Sequence, residues 1–265
     1  MRFFRFIKRL AFVPKCVNCD ICLSPFENER LRMHGSICLC EDCYKKWQEE
    51  CSVICSTCAQ PARTCSCVPK QLSKYYKSIP SVIFYDPDKN KIQNKLIFSL
   101  KRMRNSEFLS FLSYELYPGI AKLIDSNRIN RKDLIFTWIP RKKSSVSKYG
   151  FDQGRELSKT ISRLFGAANY PLFLRVGGKE QKDLDPEARW NNINRSIILN
   201  NNLIGFPKRI KQNELSSFLK GKTVVIIDDV ITTGASIRSA TELIEEIDDV
   251  NVFAASIAKV DLKKT

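Results

Sequence analysis

Between residues 81 and 260 the apolar positions switch repeatedly between two spacings. Residues 81–85 form a short apolar run of strand length. Over 90–104, Ile92, Leu96, Leu100 and Met103 recur three or four apart, as on one face of a helix, and a second helical stretch follows over 106–124. Residues 134–139 read as a buried strand stopped by Pro140. Residues 153–165 set Leu157, Ile161, Leu164 and Phe165 on one face, with Gly166 as a C-cap. A strand over 223–227, a helix traced by Ile237, Ala240, Leu243, Ile244 and Ile247, and a last strand over 250–260 complete the pattern. Strands alternating with helices predict an α/β domain with a mainly parallel sheet flanked by helices. Residues 176–200 are polar, contain Gly177-Gly178 and predict a loop. Residues 71–80, ending at Pro80, predict a linker. That divides the chain into a first unit over 1–70 and the α/β domain over 71–265.

The first unit follows different rules. All eleven cysteines lie between Cys16 and Cys67. Cys19/Cys22, Cys40/Cys43 and Cys55/Cys58 are C-x2-C pairs, and Cys65/Cys67 is a tighter one. A C-x2-C turn lets two thiolates converge on one ion, and four thiolates make the closed tetrahedral site of structural zinc. The simplest pairing joins Cys19/Cys22 with Cys40/Cys43, and Cys55/Cys58 with Cys65/Cys67, giving two zinc ions in a small double ribbon. Cys16 also forms a C-x2-C with Cys19, which leaves open a first set shifted by one pair. So short a segment with few large apolar residues folds poorly without such staples. His34, the one histidine, reads as a solvated loop residue beside a full cysteine set. A thioredoxin-like redox role is disfavoured, because the pairs are not expected to open a helix after a strand.

Residues 1–13 are basic without a continuous apolar run or a small-residue cleavage site, which does not suit a signal peptide. They suit a frayed end or a helix docked on its own domain better than a membrane-surface helix. No stretch approaches the roughly 18 apolar residues of a membrane span. A cytoplasmic location is expected.

Candidate chemistry concentrates after the strand at 223–227. Asp228 and Asp229 close that strand, and Thr232-Thr233-Gly234-Ala235-Ser236 opens the next helix. In a parallel sheet, ligands sit at the carboxyl ends of strands. Free N–H groups at a helix N-terminus favour phosphate, Gly234 permits close backbone approach, and the hydroxyls add donors. The acids are placed to accept hydrogen bonds from ribose hydroxyls. Gly221-Lys222-Thr223 resembles the end of a Walker A loop but precedes its strand, and no G-x-G-x-x-G is present. A single histidine leaves no Ser/His/Asp set.

Charge adds a partner. The chain carries a formal net charge of +16. Through residue 155 there are 28 Lys and Arg against 14 Asp and Glu, and beyond it 16 against 14. A basic field of this kind favours nucleic acid, single-stranded DNA above all where aromatic residues such as Tyr44 and Trp47 lie beside Lys45 and Arg63.

The segment 224–236 resembles the phosphoribosyl-pyrophosphate signature of type I phosphoribosyltransferases. The whole layout resembles the ComF family, competence-associated proteins with a double zinc ribbon before a phosphoribosyltransferase domain. Lys101 with Arg102 resembles that family's basic helix end, and Ile139-Pro140-Arg141 its loop after the central strand. Tyr149-Gly150-Phe151-Asp152-Gln153 resembles its Arg-Gly-Phe-Asn-Gln box, with departures at Tyr149 and Asp152. Gln181, Arg189 and Asn192 resemble its Gln…Arg-x-x-Asn stretch. The resemblance implies a phosphoribosyl pyrophosphate or ribose 5-phosphate ligand with Mg²⁺. It implies Asp228 and Asp229 on the ribose hydroxyls, Thr232 to Ser236 on the 5′-phosphate, and Arg141 and Lys142 near pyrophosphate. It also implies uptake of transforming DNA, with a competence helicase or uptake machinery as partner. Either the chain binds ligand and DNA without turnover, or it is a Mg²⁺-dependent phosphoribosyltransferase acting on a nucleobase or amine.

Overall fold

Five strands line up in parallel through the centre of the chain: β1 (Ser81–Tyr85), β2 (Leu134–Trp138), β3 (Ala168–Asn169), β4 (Thr223–Ile231) and β5 (Asn251–Val260), in the order β1-β5-β4-β2-β3. The computed structural model describes residues 14–23, 38–86, 91–102, 104–176, 196–200, 203–204, 209–211 and 214–262. Among the described residues, six helices of seven or more residues accompany the sheet: α1 (Glu41–Ser52), α2 (Ile92–Arg102), α3 (Ser106–Ser126), α4 (Lys143–Tyr149), α5 (Gln153–Phe165) and α6 (Ala235–Glu245). Among the described residues, no helix is long and apolar enough to cross a membrane.

The apolar run of β4 is continuous because both faces of the sheet are covered. Val225 and Ile227 join Phe136, Leu157 and Ile161 in a core with α2, α3 and α5. Val224 and Ile226, one residue out of phase, join Ile237, Ala240 and Ile244 of α6 on the other face.

The strand predicted over 223–227 is longer than expected. β2 pairs with β4 from Leu134↔Thr223 to Trp138↔Ile227 and stops at Ile139-Pro140. β5 runs on, pairing Asp228↔Ser256, Val230↔Ala258 and Ile231↔Lys259. The acid pair therefore lies inside a strand that loses its neighbour on one side, which opens a notch beside it.

Two other expectations change. The predicted linker is a strap packed on the domain: Leu72, Tyr76 and Ile79 are buried in the α6-side core. Its apolar spacing of three and four residues turns one face inward. The Tyr75 hydroxyl donates to Glu242 Oε1 at 2.6 Å, and the Tyr76 hydroxyl bonds that of Thr241. The predicted loop over 176–200 contains a strand: Ile197–Leu199 pairs antiparallel with Phe173–Arg175. Residues 1–13, His34, Gln181, Arg189 and Asn192 lie outside the described residues.

The cysteine-rich segment shares its packing with the α/β domain. Cys16, Leu23, Cys38, Leu39, Cys43 and Trp47 are buried in the same cluster as Phe108, Phe111 and Leu112 of α3. Trp47 lies 5.7 Å from Phe111, ring to ring, and its Nε1 donates to Glu115 Oε2 at 2.9 Å.

Candidate functional site

The notch beside β4 is built from residues far apart in sequence. Asp229 is buried, and its Oδ2 lies 3.4 Å from Lys101 Nζ at the end of α2 and 3.4 Å from Gln153 Nε2 at the start of α5. Asp228 is partly buried, and its Oδ1 accepts the Asp229 N–H at 2.9 Å. Burial, and then the neighbouring Asp229 charge, hold the Asp228 carboxyl well above the usual carboxylate range, against the opposing pull of Lys101. Two adjacent carboxyl groups offer several oxygen acceptors for hydroxyl donors or a cation. Their oxygen donors suit a hard ion such as Mg²⁺.

Cations ring the pair. Arg141, in the loop after β2, donates from its side chain to the Lys101 carbonyl at 2.9 Å, and its guanidinium stands 4.6 Å from the Tyr149 ring centroid. Asp152 secures that loop. Its Oδ2 accepts the Arg141 N–H at 3.0 Å, while Oδ1 caps α5 by accepting the N–H groups of Gly154 and Arg155. The two departures in the box at 149–153 thus have structural roles: Tyr149 supplies a ring to Arg141, and Asp152 ties a loop to a helix. Lys142 is the exposed N-cap residue of α4.

Arg175 was not anticipated from sequence. Its Nε donates to the Pro140 carbonyl at 2.8 Å, and Nη2 reaches Ser236 Oγ at 3.4 Å. Burial lowers its pKa, and the charges of Asp228 and Asp152 push it back up. One guanidinium thus spans the loop after β2, the acid pair and the start of α6. No local motif marks it, because its partners come from residues 140, 152, 228 and 236.

Gly234 is the N-cap of α6, at φ +81°, and carries no capping side chain. The first-turn N–H groups of α6 lack carbonyl partners within the helix and so face a prospective anion. Thr232 and Thr233 are exposed beside them, and Thr233 Oγ1 accepts the Ala235 N–H at 3.4 Å. Thr232 to Ser236, Asp228, Asp229 and Arg141 therefore gather at one end of the sheet, with Lys101, Gln153 and Arg175 added to them. Lys222 lies at the other end of β4 and pairs with Asp133 at 2.5 Å, so the Walker-like tripeptide takes no part.

The cysteines form two groups. In each, four sulfurs lie within 4.8 Å of one another: Cys16, Cys19, Cys40 and Cys43 in one, Cys55, Cys58, Cys65 and Cys67 in the other. The expected first set is corrected at one member, with Cys16 inside and Cys22 outside. The two turns show why. Cys16 N–H bonds the Ile21 carbonyl and Asp20 N–H the Cys16 carbonyl, while Cys55 N–H bonds the Gln60 carbonyl and Ala59 N–H the Cys55 carbonyl. Asp20 and Ala59 take matching positive φ angles of 60° and 52°. Cys16/Cys19 is thus the counterpart of Cys55/Cys58. Cys22 occupies the place of Pro61, and each of these two residues forms the bridge that closes its turn.

Sulfur separations of 3.7 Å for Cys19–Cys40 and 3.6 Å for Cys58–Cys65 suit zinc, since Zn–S bonds of about 2.3 Å place tetrahedral sulfurs about 3.8 Å apart. Burial raises the Cys55 thiol, but the backbone N–H groups of Cys58 and Thr57 outweigh it and bring it to about 7, close to the thiolate a metal needs. Cys40 stands at the N-cap of α1 and Cys43 in its first turn, so this pair opens a helix, though no strand precedes it among the described residues. Its sulfurs belong to the four-cysteine group.

Residues 179–259 match the family described as "Phosphoribosyl transferase domain". No curated protein matches the chain. Among solved structures, an adenine phosphoribosyltransferase is 20% identical with a TM-score of 0.34, covering 60% of this chain and 78% of its own. The adenine phosphoribosyltransferase of Saccharomyces cerevisiae is 19% identical with a TM-score of 0.32, covering 61% and 73%. A hypoxanthine phosphoribosyltransferase from Staphylococcus aureus is 14% identical with a TM-score of 0.27, covering 59% and 74%. The match covers under a third of a chain whose described residues form a parallel sheet flanked by helices, with two cysteine groups near its N-terminus.

Proposed function

We propose that this protein binds phosphoribosyl pyrophosphate, or a related ribose 5-phosphate ligand, and acts as a ComF-type protein of natural transformation that holds single-stranded DNA in the cytoplasm. The observation that carries the reading is the convergence of acid pair, glycine-led helix start and three cations at one end of the sheet. Asp228 and Asp229 would accept from the ribose 2′- and 3′-hydroxyls, and Thr232 to Ser236 would hold the 5′-phosphate. Arg141 and Lys142, with Lys101 and Arg175, would face pyrophosphate. Mg²⁺ bound with the ligand would offset pyrophosphate charge. Two zinc ions would hold the cysteine groups, with folding energy drawn from the metal. Calorimetry with phosphoribosyl pyrophosphate tests the ligand, with and without Mg²⁺. Binding that Mg²⁺ tightens is the expected result.

Single-stranded DNA would bind on the basic part of the chain before residue 156, with a competence helicase or uptake machinery as partner. Exposed Lys142, Lys143 and Lys148, which follow Arg141 into α4, support this. The cluster at the end of α2 is internally engaged: Lys101 with Asp229, Arg104 with Glu156, and Arg102 over the Phe98 ring. Fluorescence anisotropy with a labelled oligonucleotide should show binding that weakens steeply with salt. No binding at low salt would remove this part of the proposal.

A second reading, turnover, is favoured by the Lys101 and Gln153 contacts that complete the acid pair. A nitrogen lone pair would form the bond to the anomeric carbon as the bond to pyrophosphate oxygen breaks, and pyrophosphate would leave with the electron pair. Pyrophosphate release against a panel of bases and amines decides it.

A further inference from the structure

One cavity lies away from the notch. It holds about 500 Å³ and opens at the opposite end of the sheet, where β5 begins. Its walls come from the second cysteine group, the strap, the latter half of α3 and the start of β5. Three cations line it, Arg63, Lys77 and Lys122, and no carboxylate does. Tyr75 and Phe253 bring aromatic carbon, since the Tyr75 hydroxyl is committed to Glu242. Asn251 and Ser126 add neutral polar groups.

We propose that this cavity is a second, separate binding site for a phosphate-bearing ligand of about one nucleotide's size. The volume falls in the range of roughly 300–1,000 Å³ usual for small-ligand sites. Lys77 and Lys122, with no carboxylate in the wall, make a field for an anion, Arg63 adds N–H donors although Glu115 offsets its charge, and aromatic faces accept a base. Arg63 is held in place from behind, its Nη2 bonded to the largely buried Glu115 at 2.5 Å. Such a fixed guanidinium loses little freedom when it meets phosphate. Lys77 and Lys122 are exposed at the rim and form no ion pair with a described residue. The site does not depend on the reading of the notch, which has its own residues.

The test titrates adenosine monophosphate into the full-length, zinc-loaded chain and three variants, with heat or intrinsic fluorescence as readout. Ala235→Asp blocks the phosphate position at α6 and leaves the cavity untouched. Lys77→Ala/Lys122→Ala removes the rim charges, and both positions are exposed enough to leave the fold intact. The expected result is binding that survives Ala235→Asp and falls about tenfold or more in the lysine pair variant, alone or combined with Ala235→Asp. Loss of binding in Ala235→Asp, or binding indifferent to the lysine pair, would overturn the proposal. Competition by short oligothymidylate would identify the end or backbone of a single strand as the ligand source. Its absence, with inorganic phosphate competing, would identify a free nucleotide. Failure of ligand at the notch would show instead as Ala235→Asp changing nothing for phosphoribosyl pyrophosphate.

Discussion

Leu72 of the strap closes over Gly234: a Cβ built on Gly234 would stand 2.5 Å from Leu72 Cδ1. The contact joins the segment between cysteine groups and sheet to the turn that presents phosphate-binding N–H groups. It also fixes that turn at φ +81°, a region closed to most side chains.

Gly234→Ala is therefore expected to cost about 2–4 kcal/mol, from left-handed backbone and overpacking together. Leu72→Ala alone leaves a cavity. In the double variant the smaller residue 72 relieves the clash, so the combined loss should fall short of the sum. Denaturant unfolding of the four proteins measures this. Simple additivity would mean that the two side chains do not meet.

Zinc content separates the cysteines. Cys16→Ser should lower elemental zinc from two ions per chain towards one, whereas Cys22→Ser should leave two, because only Cys16 lies with the other sulfurs. The Cys16 variant should also destabilise the α/β domain, since Cys16, Cys43 and Trp47 share a core with α3.

Asp228 links stability to pH in an uncommon direction. Its carboxyl titrates higher in the folded chain than in the unfolded one, so the folded state binds that proton more tightly. The stability it contributes is present below the ordinary carboxylate range and is lost as pH rises towards the folded value. Asp228→Asn keeps the acceptor for the Asp229 N–H and removes the charge. Its Tm at pH 7 should exceed the parent's by about 2–4 °C for each kcal/mol recovered, while ribose 5-phosphate binding weakens. A lower Tm with intact binding would contradict this.

Arg175→Ala should weaken ribose 5-phosphate binding about tenfold, because it removes the cation that reaches Ser236 and lies near Asp228. Arg175→Lys should restore only part of the affinity, since one ammonium cannot hold Pro140 and Ser236 at once. Equal affinity in all three proteins would exclude Arg175 from the site.

Much of the sheet was readable because both its faces are buried: β1 and β2 are short apolar runs between breakers, and α5 carries its own stop signal in Gly166. The phosphate loop was readable because glycine, hydroxyls and acids follow one another without a gap. What escaped depended on tertiary partners. The length of β4 past Ile227 is set by β5. Helix α1 shows only Cys43 and Trp47 buried, too few for a clear period. Arg175 has no neighbour in sequence that announces it. Cys16, Cys19 and Cys22 form overlapping C-x2-C pairs, and only the matching turns at Asp20 and Ala59 decide between them.

The proposed ribose 5-phosphate site lies between the acids of β4 and the start of α6. Calorimetric titration of ribose 5-phosphate into the parent, Asp229→Ala and Ala235→Asp tests that placement. Asp229→Ala should weaken binding about tenfold by removing ribose acceptors. Ala235→Asp, which sets a carboxylate where the phosphate belongs, should weaken it by roughly a hundredfold or more. Affinity unchanged in both variants would contradict the account and move the ligand to another part of the molecule.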